Sequence, residues 1–417
     1  MPVLNCPTAR QLVSGCLLFG FSLASHALTF AEAIQLAETH SPQIKADSER
    51  IDSATALTQS AGQLPDPKLE AGIQNLPVQG SERYSLVQDP MTMRTIGLMQ
   101  EFPNKHKRAA ETASAQAQAA IAVAQKKMAT LDVLRGTALA WIDRQTAEKE
   151  LRLIGALRRE NQLFTLAVHA QVAAGKAPLS DALVPRQEAV AIDNLQSELN
   201  ARRSKAIALL SQWIGKAASE PLEDDVPEWA IQPERLYQTL QQQPSLKVFD
   251  SRFRAIDAGI DAAKADKIPD WSVEMMYQER APQFGNMVSF QVTVGLPVFP
   301  ESRQNPEIAA RLADREALES EQQVALREHR AELEADLAEY QRLLETSGRQ
   351  EKILLPLADE KVSLMLAEWK TGKTSLADLA AARRERIDAE LKNVELDGDL
   401  QRVAARLHYT NIPGEMP

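Results

Sequence analysis

The chain has 417 residues, is 44% hydrophobic, and carries a formal net charge of −10 with only two cysteines. That acidity excludes nucleic acid as a natural partner. Both cysteines, Cys6 and Cys16, fall in the first 27 residues, so the rest of the chain can hold neither a disulfide nor a thiolate metal centre.

Residues 1–27 read as a secretory signal peptide. Arg10 supplies a positive n-region, Leu17 to Leu23 is a short apolar run, and Ser25-His26-Ala27 puts small residues before the cut. The alternative, Val13-Ser14-Gly15-Cys16 as a lipoprotein box with Cys16 lipidated, fits poorly because the apolar run follows the cysteine. Loss of Arg10 leaves a net charge of −11. No later segment is long and apolar enough for a membrane-spanning helix, although a β-barrel leaves a weaker trace.

Residues 28–218 and 233–409 are two copies of one plan, separated by an acidic, proline-containing linker at 219–232 and followed by a tail at 410–417. Phe102-Pro103 recurs as Phe299-Pro300, and "GKAPLSDAL" as "GKTSLADLA", both 197 positions apart. Each copy opens with short helices, near 30–39 and 234–242, which stop before Pro42 and Pro244. A second helix follows, to about Gln63 and Lys267.

Two strands come next in each copy, near 67–76 and 91–102, then near 270–279 and 287–299. Val288, Phe290, Val292 and Val294 alternate with Ser289, Gln291 and Thr293, the period-two pattern of a strand with one apolar and one polar face. Beyond them, 104–168 and 302–370 are rich in helix formers with coiled-coil-like spacing, as at Leu333, Leu337, Tyr340 and Leu344. About 65 residues at 1.5 Å each make a rod of roughly 98 Å. Gly155 and Pro356 are expected to bend or interrupt the two rods. Return helices follow at 179–214 and 376–408.

A rod of that length cannot bury itself in one core, and four strands cannot close a barrel. Both features call for further copies of the chain, a trimer giving twelve strands. The fold class is therefore mainly α with a small β part: a tandem repeat of long, coiled-coil-like helices with four strands per chain.

"GKTS" at Gly372 is not a phosphate loop. Ala367 stands where such a loop needs Gly, and copy one reads Gly-Lys-Ala-Pro, with no hydroxyl for magnesium. The better reading is a helix-helix turn, closed by Gly and reopened at Ser375 and Ser180. His40, His106, His169, His329 and His408 form no ligand-spaced pair, so no metal or catalytic cluster is expected. Met91, Met93, Met275, Met276 and Met287 lie in or beside the strands. Packing and gap filling are the preferred reading for them over a thioether-lined route for a soft cation. No nucleophile-base arrangement stands out, and no cofactor is expected.

On the duplicated plan, "GLMQEFP", "VGLPVFP", "GKAPLSDAL" and "GKTSLADLA", the chain resembles the TolC family of outer-membrane efflux channels. "GQLPDPKLEAGIQNLPV" and "DPMTMRTIGLMQEFP" are most similar to the outer-membrane subunits of Cus/Czc-type heavy-metal RND systems. The resemblance implies a non-enzymatic homotrimer in outer-membrane lipid, its helices forming a trimeric α-barrel tunnel and its strands a twelve-stranded β-barrel with four strands per chain, working with a periplasmic adaptor (membrane fusion) protein and an inner-membrane RND pump. It places Gly175, Lys176, Leu179, Asp181, Gly372, Lys373, Leu376 and Asp378 at the periplasmic tip, as adaptor docking surface and gate. Repeated threefold, Asp181 and Asp378 would put six carboxylates near one constriction. Export of organic compounds, a pore-free periplasmic coiled-coil scaffold and a secreted enzyme are the competing readings.

Overall fold

The computed structural model describes residues 27–223 and 226–410. All but the last residue of the expected signal peptide, Cys6 and Cys16 included, and all but the first residue of the tail lie outside them. The described residues form α1 (Phe30–His40), α2 (Pro42–Ser60), β1 (Lys68–Gln74), β2 (Met93–Phe102), α3 (Lys105–Ala173) and α4 (Val184–Ile214). They continue as α5 (Pro233–Thr239), α6 (Pro244–Ala265), β3 (Trp271–Glu279), β4 (Met287–Val294), α7 (Gln304–Arg349), α8 (Leu355–Lys370) and α9 (Leu376–His408).

The strands form one antiparallel sheet in the order β1-β2-β3-β4. Its registry puts Leu69 beside Leu98, Leu98 beside Met275 and Met275 beside Phe290. The next row is Ala71, Ile96, Tyr277 and Val288. These side chains share one face, and the large ones among them are exposed to solvent in the single chain. At the helix end of that face Phe102 stacks on Trp271, with centroids 4.3 Å apart. At the loop end Arg94 pairs with Glu279 at 3.0 Å. The opposite face carries Glu70, Thr95, Met99, Glu274, Met276 and Gln291, and on β2 and β3 it is the more sheltered of the two.

From Phe102 the chain turns into α3. Asn104 caps this helix by accepting from Lys107 N at 3.0 Å, while its amide donates to the carbonyls of Ala265 and Ile268. Asn104 therefore ties the first copy's sheet-to-helix junction to the end of α6 in the second. α3 runs 69 residues without interruption, about 100 Å. Gly155 does not break it, because glycine keeps its N–H and the ladder of backbone bonds survives. The second rod does change pitch. Residues 350–354 form a π-turn between α7 and α8, immediately before Pro356, which has no N–H and crowds the carbonyl four residues back.

The short helices flank the rods end to end, α2 and α6 towards the sheet and α4 and α9 towards the far end. Where they meet, α1 and the inter-copy segment wrap α3. Phe30 packs edge-on to Trp141 at 5.8 Å and to Trp229 at 5.9 Å, and Trp229 stacks on His408 at 5.3 Å. Burial holds the His408 imidazole below its ordinary value and pushes the Tyr409 phenol up to about 12.

The 219–232 segment is thus not a loose linker. Val226 is buried, and Leu222 pairs in parallel with Leu28. Arg144, 1% exposed on α3, donates to the carbonyls of Ala218 and Glu220 at 2.6 Å each and to Glu148 at 2.9 Å. The acidic composition that reads as a linker hides a backbone held by a buried guanidinium.

Arg144→Met removes three charge-assisted bonds from buried carbonyl and carboxylate partners, at a cost of about 3 kcal/mol. Limited proteolysis should then cut within 219–232 far faster than in the parent, with α3 otherwise intact by circular dichroism.

Candidate functional site

The eight residues singled out by the duplication sit at two turns, side by side at the end of the rods furthest from the sheet. Val168, Phe164, Leu376 and Leu379 form one buried cluster there, with Val172, Val184 and Trp369 against it. Each turn closes its long helix in the same way. Gly175 N donates to Val172 O at 3.0 Å and Lys176 N to Gln171 O at 2.9 Å; Gly372 N and Lys373 N repeat this on Trp369 O and Glu368 O. Gly175 and Gly372 have φ of +70° and +75°, the left-handed conformation this motif demands.

The exits then diverge. Ser375 caps α9 by accepting from Asp378 N at 3.1 Å, and Asp378 accepts in return from Ser375 N, from Ser375 Oγ at 2.6 Å and from Thr374 Oγ1. These bonds, that of the Ser375 hydroxyl first, hold the Asp378 carboxyl below its ordinary value. In the first copy the matching position is Pro178, which has no hydroxyl. The chain there makes a 3₁₀ turn over Leu179–Leu183, and α4 starts only at Val184 without a side-chain cap. Ser180 therefore does not open a helix as Ser375 does. Leu179 is 80% exposed, whereas Leu376 is 3% exposed inside the cluster.

Asp181 and Asp378 are consequently not equivalent. Asp378 is committed to its capping box, while the half-buried Asp181 side chain has no hydrogen bond or ion pair among the described residues. Gly175, Lys176, Gly372 and Lys373 are all exposed.

One turn inward lies a charge network that sequence reasoning missed. Arg383 on α9 is 7% exposed and stacks over the Phe164 ring at 4.4 Å. It donates to Glu160 of α3 at 2.8 Å and to Glu188 of α4 at 3.4 Å. Arg386 also reaches Glu160. Burial pushes the Glu188 carboxyl above its ordinary value, against the opposing pull of Arg383. The network joins the two helical hairpins. In the sequence "ARRERID" reads as a solvated helix face. The pairing depends on which faces of α3, α4 and α9 meet, and no spacing in the sequence states that.

Among the described residues no group of three or more His, Cys, Asp or Glu is placed to hold a metal, and no helix is long and apolar enough to cross a membrane. Residues 236–409 match the family model described as outer membrane efflux protein. Among curated protein sequences none matches the chain. The fold is shared with several solved structures. A membrane protein from Pseudomonas aeruginosa has a TM-score of 0.79 at 16% identity, covering 91% of this chain and 89% of that one. CusC, solved for its folding and transmembrane channel formation, gives 0.77 at 14%, covering 91% of each. The outer membrane protein VceC from Vibrio cholerae gives 0.76 at 16%, covering 91% and 95%. At 14–16% identity these likenesses establish the shared fold.

Arg383→Met strands the buried Glu188 carboxylate, while Glu160 keeps Arg386, and should cost about 3 kcal/mol, lowering the thermal unfolding midpoint by several degrees. Glu188→Gln should be tolerated at neutral pH. A raised carboxyl pKa means that ionisation opposes folding once the pH rises above it, and Gln removes that cost. The difference between Glu188→Gln and the parent should therefore be largest near neutrality and close as the pH falls to the ordinary value of 4.5.

Proposed function

We propose that this chain is the protomer of a homotrimeric outer-membrane channel, a passive conduit exporting heavy-metal cations delivered by a periplasmic adaptor and an inner-membrane RND pump. The observation that carries this reading is the open four-stranded sheet. Its apolar face is exposed, and its edge strands β1 and β4 each have one unpaired side among the described residues. Backbone groups in hydrocarbon must all be paired, so the sheet is stable in a membrane only when further copies close it. Nine residues of β3 span about 30 Å, or about 23 Å of height at a tilt near 40°, which fits an apolar band of about 25 Å. The Phe102–Trp271 stack then sits at one interface, as an aromatic girdle does.

The helices follow from the same closure. A rod of about 100 Å attached to each sheet would continue the barrel as a tunnel across the periplasm. The paired turns would ring its far mouth. Lys176, Lys373 and the protruding Leu179 present a surface for the adaptor, and Asp181 the free carboxylate of the gate. Its partner in the second copy, Asp378, holds the turn in shape instead.

The metal reading rests on the resemblance of residues 62–78 and 89–103 to Cus/Czc-type subunits. Export of organic compounds through the same conduit is the competing reading.

In planar bilayers the purified protein should insert as a trimer with discrete, cation-preferring single-channel steps; a failure to conduct would remove the channel reading altogether. Asp181→Asn should reduce the cation preference, read as a reversal potential closer to zero in a salt gradient. Leu179→Asp should leave conductance unchanged but abolish resistance in cells, through loss of adaptor docking. A deletion strain tested on copper, silver, zinc, cobalt, cadmium and organic toxicants separates the metal from the organic reading.

A further inference from the structure

The methionines near the strands do not share one role. Met275 lies on the exposed apolar face with Leu98 and Phe290, where a flexible apolar side chain meets lipid. Met99 and Met276 project from the opposite, polar face, where there is no core for them to fill. They flank Gly97, which faces Met276 across the β2–β3 ladder and Glu70 across β1–β2. Met99 stands directly opposite Glu274.

Gly97 leaves a dent in the polar face, and the neighbouring side chains lean over it. A Cβ at this position would lie 3.4 Å from Glu274 Oε1 and 3.4 Å from Met276 Cγ. Glu274 Oε1 is shielded from solvent, yet no hydrogen bond reaches it among the described residues. An orphaned carboxylate oxygen is costly unless something else satisfies it. The Met276 sulfur accepts from Gln74 Nε2 at 3.4 Å and more distantly from Gln278 Nε2 at 3.8 Å, weak bonds that orient the thioether and that a soft cation can displace. The cation of this face, Lys68, is paired with Glu101 near the helix end and does not neutralise Glu274.

We propose that Met99, Met276 and Glu274, around the gap at Gly97, form a transient binding site for a soft monovalent cation, silver(I) or copper(I). This rests on the channel reading, in which the polar face lines the lumen. Two thioethers and one carboxylate, with neither imidazole nor thiolate, are a donor set that suits soft, low-coordinate ions. Zinc and cobalt favour imidazole and carboxylate donors. The ligands are neutral sulfurs and one oxygen, so the ion is held weakly enough to leave, as conduction requires. Closure by threefold symmetry repeats the site once per protomer at one height of the barrel. The sequence could not separate Met275 from Met276, since adjacent strand residues take opposite faces and only the registry says which face meets Gly97.

The test uses the detergent-purified protein, first checked as a conducting trimer in planar bilayers, then dialysed against silver nitrate in chloride-free buffer. The bound metal is counted by mass spectrometry. The parent should bind about one silver ion per protomer, and the near-isosteric Met99→Leu/Met276→Leu double variant should bind it at least about tenfold more weakly. Cobalt and zinc should not compete. X-ray absorption on the silver-loaded parent should show sulfur neighbours, a readout that does not depend on any variant folding. A conducting trimer that binds no silver, or silver with only oxygen neighbours, overturns the site while leaving the channel intact. A protein that does not conduct removes the premise, and the site with it.

Discussion

Hydrocarbon offers no hydrogen bonds, so a strand edge left open in a membrane exposes backbone N–H and C=O groups at several kcal/mol each. The sheet of this protein has two such edges and an apolar face turned outward. Almost every other feature is consistent with that one demand. In the proposed channel, closure sets the number of copies, the copies set where the rods stand, and the rods carry the paired turns to the far end. A single chain has no reason to expose Phe290 or Leu98.

Within the protomer, rigidity comes from the junction where the short helices meet. Phe30, Trp141, Trp229 and His408 bring α1, α3, the inter-copy segment and α9 together, and Arg144 fastens that segment through its own carbonyls. A long rod held at its waist can transmit a displacement at one end to the other. The Glu160–Arg383–Glu188 network couples the two hairpins closer to the turns. Its buried charges favour one arrangement of the hairpins over looser ones, because any arrangement that separates them strands a carboxylate away from water.

Duplication built both halves from one plan, but the halves have diverged where one residue changes the local chemistry. Pro178 in place of a serine removes a capping hydroxyl, and a 3₁₀ turn with an exposed Leu179 replaces an ordered helix start with a buried Leu376. Pro356 forces a π-turn into the second rod, while Gly155 leaves the first continuous. Two turns that match letter for letter at Gly, Lys, Leu and Asp thus present different surfaces.

The sequence by itself determined the mainly helical class and the four strands, because the periods of 2 and 3.6 residues are properties of the chain alone. It also marked Gly175 and Gly372, since a helix end that needs a positive φ announces itself by its residue type. Only the tertiary structure decided which residues meet: Arg144 with the inter-copy carbonyls, Arg383 with Glu160 and Glu188, and Met99, Met276 and Glu274 around Gly97. These groupings join residues as many as 223 positions apart. They depend on registry between strands and rotation between helices, and no local periodicity encodes either.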